Sequence, residues 1–399
     1  MVTAEASRRV RFGAFMAPFH SPKQGPARSY EEDLRSIELL DELGFDEAWV
    51  GEHHSGGWEP VPSPELFLAV AAGRTQRIRL GTGVVSLSYH HPFHVAERLV
   101  FLDLLTRGRV MLGVGPGALT TDADMFGIPA DQTRPRMDTA LGAIMDLLRR
   151  EGPVSVSTDW FELHDAVLQL PSWQVPHLPV TVASTSSPAG ALSAGKHGVG
   201  LLSLGAYFPA ARLQLPNHWE IVEKTAAENG RVVSRSEWTL VTPIHVAATR
   251  EQALAEVVTG GDHWLRGYYN DTVGFPAMFP DESGNSSYLN MIDARSAFVG
   301  TPDEVAESIE WLWKLTGGFG CLLMLENSAA SPAARRASYQ LFAREVAPRF
   351  TGELDQLVAA QRRSVLSREE GYARRVAAQE QAHAKLADRD GARMSGSGE

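Results

Sequence analysis

One cysteine, Cys321, stands among 399 residues. No internal disulfide can form, which excludes a scaffold stapled by disulfides and suits a reducing compartment. No apolar run approaches the ~20 residues that a membrane-spanning helix needs, so no membrane association is expected. Residues 1–10 lack the apolar core of a secretion signal, and a cytoplasmic location is the expectation. Positive charge is in short supply: 37 Lys and Arg face 48 Asp and Glu, leaving a net charge of −11. Phosphate backbones want a basic face, so nucleic acid is not expected as a partner. No repeat is visible beyond an alternation of short β-like and longer helical runs. With 44% hydrophobic and 21% charged residues, the composition is that of an ordinary globular enzyme.

That alternation is the pattern of a parallel sheet with crossover helices. Strands are expected at 11–16, 45–50, 78–87, 109–114, 178–183, 199–204, 238–247 and 321–326. Helices are expected at 30–43, 64–74, 92–106, 134–150, 188–197, 209–229 and 332–347. In the first helix Leu34, Ile37, Leu40 and Leu43 recur at helical spacing, and Gly44 supplies the stop. Eight strands in one chain favour closure into a (β/α)8 barrel over an open sheet. Two stretches break the rhythm: 151–177, after the fourth helix, and 260–290, after the seventh strand. Both are rich in aromatics: the first reads as an insertion covering one end of the barrel, and both are read either as a roof over the site or as core packing under long loops. The barrel is expected over 10–350. From 351 to 399 the composition shifts to Gln, Arg, Glu and Ala, which reads as a helical or partly disordered tail.

In such a barrel the chemistry sits on the loops that follow the strands. Gly51-Glu52-His53-His54 follows the second strand, and Tyr89-His90-His91-Pro92 the third. Gly113-Val114-Gly115-Pro116-Gly117 follows the fourth, and Ser184-Thr185-Ser186-Ser187-Pro188-Ala189-Gly190 the fifth. Side chains alternate along a strand, so at most one of His53 and His54 faces the barrel mouth. A histidine there suits proton transfer, because its charge changes near neutral pH. The hydroxyl run opens a helix, where free N–H groups bind anions; a plain cap by Ser187 with Pro188 in the first turn is the simpler alternative. The glycines at 113, 115 and 117 do not match a dinucleotide fingerprint; with Gly81 and Gly83 they are read as letting a flat ligand approach the backbone. Glu52, His53, His54, His90, His91 and His94 have the chemistry of metal ligands. Strands four to six, however, end in glycine, serine and leucine, and no metal is expected.

Taken in order, these landmarks resemble the bacterial-luciferase-like flavin monooxygenases over residues 10–350. The resemblance rests on Arg11-Phe12-Gly13, Leu43-Gly44-Phe45-Asp46, Glu52-His53-His54, Leu80-Gly81-Thr82-Gly83-Val84, His91-Pro92, Gly108 to Gly115, Ser184 to Gly190, and Val299-Gly300-Thr301-Pro302-Asp303-Glu304. Ala17-Pro18-Phe19-His20, Gly51 to Glu59, Tyr89 to Pro92, Val114 to Leu119 and Thr158 to Leu163 are most similar to the limonene 1,2-monooxygenase branch.

The resemblance implies a two-component enzyme. A separate flavin reductase supplies reduced FMN, with FAD as the alternative, and O2 is the co-substrate. One oxygen atom goes into a small apolar substrate such as a terpene-like alkene, by epoxidation or hydroxylation. His53 falls on the catalytic histidine, Gly83–Val84 on a cis peptide beside the flavin, and Ser184, Thr185, Ser186, Ser187 and Gly190 on the flavin phosphate site. Tyr89, His91 and Gly115 would also line the flavin. His20, His54, Trp58 and His90 would lie towards the substrate or behind His53. A homo-oligomer, a dimer, is implied as well. Gly115 stands where luciferases carry a reactive cysteine, and Pro116 where they carry an arginine that grips phosphate. Two other readings of the same barrel are a deazaflavin (F420)-dependent oxidoreductase and a flavin-binding protein without catalysis.

Overall fold

The computed structural model describes residues 9–17, 19–275, 279 and 286–395, with side chains to residue 389. Residues 1–8, Pro18, 276–278, 280–285 and 396–399 therefore lie outside the described residues. Chain order gives β1 (Arg11–Met16), β2 (Glu47–Val50), β3 (Arg79–Thr82), β4 (Val85–Ser86), β5 (Val110–Gly115), β6 (Val154–Ser157), β7 (Glu162–Ala166), β8 (Val180–Ser184), β9 (Gly200–Ser203), β10 (Trp238–Thr242), β11 (Ile244–Val246), β12 (Phe298–Gly300) and β13 (Cys321–Leu325). All pairings around β1, β2, β3, β5, β8, β9, β10 and β13 are parallel, and the β1–β13 and β3–β5 ladders close the circle. The fold is a closed eight-stranded parallel barrel with helices between its strands.

A parallel barrel buries both faces of its strands, and Trp49 shows what that requires. Its indole lies inside the barrel, only 2% exposed. A Cβ on Gly81 would stand 2.5 Å from the Trp49 ring, and one on Gly113 would stand 2.1 Å from the Thr82 carbonyl oxygen and 2.9 Å from the ring. These glycines make room for a tryptophan and a neighbouring strand, not for a flat ligand. Where the strands begin, the buried Glu47 carboxylate accepts from Arg11 Nε at 2.8 Å and Trp49 Nε1 at 2.9 Å, and it also pairs with Arg79.

Several boundaries differ from the sequence expectation. The run 78–87 is broken by a cis peptide between Gly83 and Val84. The run 238–247 is split at Pro243, which has no N–H to give the ladder. Beyond it, β11 leaves the barrel and pairs with β12. The helix expected over 209–229 is two, Pro209–Arg212 and Leu215–Glu228. The start of the supposedly irregular 260–290 stretch is helical: Arg250–Trp264 continues as π-helical turns through Leu265–Val273. The helix Pro302–Thr316 leads into β13, opened by a capping box in which Thr301 Oγ1 and the Glu304 side chain satisfy each other's backbone N–H.

The 151–177 insertion does not roof the mouth. Its hairpin, β6 with β7, carries Phe161 against His91, and Trp160 stacks with the Arg136 guanidinium. Its later part closes the opposite end: Asp103 accepts from the backbone N–H groups of Trp173 and Gln174, and Gln174 Nε2 donates to the carbonyl of Val110, the first residue of β5. The barrel unit runs from Arg9 to Ala347, and residues from Pro348 onward form a second unit. That unit carries two exposed helices, Asp355–Leu366 and Arg368–Ser395.

Candidate active site

The strands' carboxyl ends open into a cavity of about 1260 Å³, above the ~300–1,000 Å³ usual for small-molecule sites. His53 and Glu52 line it on one side, and Ser184, Thr185, Ser186, Ser187 and Gly190 on another. Gly83, Val84, Ser86, Gly115 and Pro116 form wall between them. Phe15, Phe19, Tyr207, Phe208, Tyr268, Tyr269 and Phe275 supply its aromatic lining, with Val273 beside them. The roof thus comes from the π-helical segment after Trp264.

His53 is held by backbone and side chain together. Its N–H donates to the Val61 carbonyl at 3.1 Å. Its Nδ1 lies 3.0 Å from Asp122 Oδ2, and its Nε2 lies 3.5 Å from Glu59 Oε2. An ionised carboxylate only accepts, so Nδ1 carries the proton. Asp122 is 1% exposed; its Oδ1 accepts from the His54 N–H at 3.1 Å and from Ser55 Oγ at 2.5 Å. Burial works against a charged His53, but the carboxylates of Glu59 and Asp122 outweigh it, and the imidazole titrates above its ordinary range. Burial likewise opposes ionisation of Asp122, yet the bonds from His53, Ser55 and His54 hold its pKa below the usual value.

Behind this pair lies a second cluster. Glu52 Oε1 accepts from His54 Nε2 at 2.9 Å and His90 Nε2 at 2.7 Å, while Oε2 accepts from the Ser86 N–H at 2.9 Å. Despite its burial, Glu52 is held below the ordinary glutamate range, and His90 is held above its own. Glu52, His54 and His90 bring three metal-type ligand atoms together. Their spacings are those of hydrogen bonds, and the carboxylate is already shared between both imidazoles and a backbone amide. Built this way, the cluster pins the loop after β2 to the loop after β4.

Other candidates from the sequence lie off the cavity. Tyr89 stacks on Phe126 with centroids 4.8 Å apart, its hydroxyl against Gly117. His91 packs under Phe161, Trp58 packs against His263 and Tyr268, and His20 Nε2 binds Asp33 at 2.8 Å. His54, His90, Tyr89, His91, Trp58 and His20 stand behind the wall instead of on it. This differs from the expectation that Tyr89 and His91 line the flavin site. Asp122 and Glu59 were missed as site residues. Asp122 sits on the short helix Thr120–Met125, where no helix was expected; the acidic run Asp122-Ala123-Asp124 in a strand-end loop was the available signal.

At the hydroxyl run, the helix Ala189–His197 starts one residue later than expected, with Pro188 and not Ser187 in the capping position and no side chain bonded to its first turn. Among the described residues, the side chains of Thr185, Ser186 and Ser187 make no hydrogen bond, while Ser184 Oγ donates to the Ser187 carbonyl at 3.3 Å. A Cβ on Gly190 would stand 2.6 Å from the Ala183 carbonyl oxygen, so glycine sets the close approach of this turn to β8. Arg134 and Lys196 add positive charge to the same rim; Lys196 is paired with Asp138 at 2.5 Å.

A profile of luciferase-like monooxygenases matches residues 10–318. The chain belongs to the luciferase-like monooxygenase family. It is a flavin-dependent monooxygenase by that membership. It is 46% identical over 346 residues to limonene 1,2-monooxygenase of Rhodococcus erythropolis, covering 87% of this chain and 88% of the relative. It is 45% identical over 357 residues to 4-hydroxyprotoasukamycin monooxygenase of Streptomyces nodosus subsp. asukaensis, covering 88% and 95%. Among solved structures, monooxygenase RslO1 from Streptomyces bottropensis superposes with a TM-score of 0.75 at 28% identity, over 86% of this chain and all of that one. The oxygenating constituent of 3,6-diketocamphane monooxygenase from Pseudomonas putida, solved with FMN, shares the fold with a TM-score of 0.71 at 24% identity, over 85% and 98%. Among the described residues, no helix of this luciferase-like monooxygenase is long and apolar enough to cross a membrane.

Proposed function

We propose that the chain is the oxygenase of a two-component system, taking reduced FMN from a separate flavin reductase and inserting one atom of O2 into a largely apolar substrate. The observation that carries this reading is one cavity bordered by both His53 and the Ser184–Gly190 turn. Free hydroxyls, an uncapped helix start and the nearby Arg134 and Lys196 fit a flavin phosphate. The FMN carried by a fold neighbour supports FMN over FAD. Bound there, reduced flavin would supply the electrons that activate oxygen.

The chain's own residues supply position, a proton and dryness. Gly83, Val84 and Gly115 form wall between the phosphate turn and His53. Asp122 fixes the Nδ1–H tautomer of His53 and leaves Nε2 to give or take a proton on the cavity side. Tyr207, Tyr268, Tyr269, Val273 and Phe275 keep water from the reacting oxygen. A substrate with a large apolar surface suits this lining; the names of the relatives include limonene and 4-hydroxyprotoasukamycin. Cytoplasmic location and assembly as a dimer belong to the same proposal.

The test is product analysis with a generic flavin reductase, NADH, isotopically labelled O2 and a panel of apolar alkenes. One labelled oxygen per product molecule is the expected result, together with near-complete loss of product in His53→Ala at retained FMN binding. Failure to bind reduced flavin, or turnover that persists without oxygen, would refute the proposal; the latter is the behaviour of a hydride-transferring deazaflavin enzyme.

A further inference from the structure

Glu59 lines the cavity and is 5% exposed, yet its Oε1 has no hydrogen-bond partner. Its other oxygen faces His53 Nε2 at 3.5 Å, a long and weak contact. A buried carboxylate oxygen without a donor is rare in folded proteins, because it gives up hydration and receives nothing in return. The surrounding wall is polar as well. The Tyr268 hydroxyl bonds the Glu59 carboxylate, leaving Oε1 as its oxygen without a partner, and the Tyr207 and Tyr269 hydroxyls bond each other at 2.9 Å. All three rings line the cavity, so beside His53 its wall carries a patch of one carboxylate and three phenols.

We propose that this patch is a substrate-recognition site, and that the substrate carries a hydroxyl or N–H group which donates to Glu59 on an otherwise apolar body. The inference rests on the substrate being bound beside His53, as in the function proposed above. A bare hydrocarbon filling this space would exclude water and leave Glu59 Oε1 buried without a donor, so the site discriminates against it. A donor-bearing substrate satisfies the oxygen and is anchored at one end, which fixes which of its carbons lies near His53. The sequence motif Gly57-Trp58-Glu59 gave no sign of this, because Glu59 reaches the cavity only through the fold of the loop after β2.

The test is calorimetric titration of the full-length protein, with and without oxidised FMN, using three probes of one ring system: 2-naphthol, 2-methoxynaphthalene and naphthalene. The expected result is that 2-naphthol binds about 10–100-fold more tightly than the other two. In Glu59→Leu that preference should collapse and naphthalene should gain. Melting temperature and FMN affinity verify that the variant is folded, and Tyr268→Phe, which leaves Glu59 in place, should keep most of the preference. Equal binding of the three probes to the wild-type protein, absence of saturable 2-naphthol binding, or a preference that survives Glu59→Leu would overturn the inference. Failure of the flavin reading appears separately, as lack of FMN binding, and leaves the probe comparison in flavin-free protein decisive.

Discussion

Replacing Asp122 with asparagine changes one atom and tests the geometry around His53. The Asp122 carboxylate takes three donors: His53 Nδ1–H at 3.0 Å on Oδ2, with the His54 N–H at 3.1 Å and Ser55 Oγ–H at 2.5 Å on Oδ1. An asparagine keeps one oxygen. Two of the donors converge on the Oδ1 position, so the amide oxygen stays there and the NH2 group turns to His53. Nδ1 must then accept, and the ring proton moves to Nε2, the atom that should receive protons from the cavity. General acid–base catalysis contributes ~10²–10⁴ in rate, which is ~3–5 kcal/mol at 1.36 kcal/mol per tenfold. We expect kcat for oxygenated product to fall by about that factor with KM and FMN affinity little changed. The His53 titration, followed by its imidazole NMR signal, should move down from its raised value. Retention of more than a third of wild-type turnover together with an unmoved titration would refute the reasoning about His53.

The same pair predicts a pH-dependent stability difference. His53 titrates above ~6.5 in the folded protein and Asp122 below ~3.9. The histidine's contribution is complete below its unfolded pKa and lost as pH rises through the folded one. The aspartate's is present above its unfolded pKa and lost as pH falls through the folded one. Thermal melts of wild type and Asp122→Asn should therefore differ most at about pH 4–6.5 and less at alkaline pH; a constant gap would count against the coupling. Gly190→Ala places a Cβ 2.6 Å from the Ala183 carbonyl oxygen, and should weaken FMN binding by about tenfold or more while leaving riboflavin binding nearly unchanged, if the turn holds phosphate. Gly113→Ala drives a Cβ to 2.1 Å from the Thr82 carbonyl oxygen inside the barrel; we expect ~1–3 kcal/mol of destabilisation or more in denaturant melts. Thr301→Ala removes the capping box of Pro302–Thr316 and should cost ~0.5–2 kcal/mol, with turnover intact.

How much could be read from the chain alone differs element by element. The eight barrel strands were legible, because runs such as Val110 to Val114 and Cys321 to Leu325 are apolar on both faces and separated by helix-length stretches. The hydroxyl run and the histidine pair were legible as strand-end clusters, since position after a strand is a matter of sequence order. The roof was not. Trp160, Phe161 and Trp173 have the same aromatic character as Tyr268 and Phe275, and composition does not say which end of a barrel a long loop covers. Only the bonds from Asp103 to residues 173 and 174 send the later part of the first insertion to the far end.

Local periodicity and residue order were enough for the alternation, the closure it favours and the chemical types at each strand end. Partnership came only with the folded barrel. Asp122 meets His53 across 69 positions, and Glu52 meets His90 across 38. Tyr207 meets Tyr269 across 62. Each of these contacts depends on how far a loop reaches over a closed barrel, a distance no local pattern encodes. The tasks of the glycines divide the same way: that 81 and 113 must be small is written in the chain, but that they yield to Trp49 is set by the packing of the strand beside them.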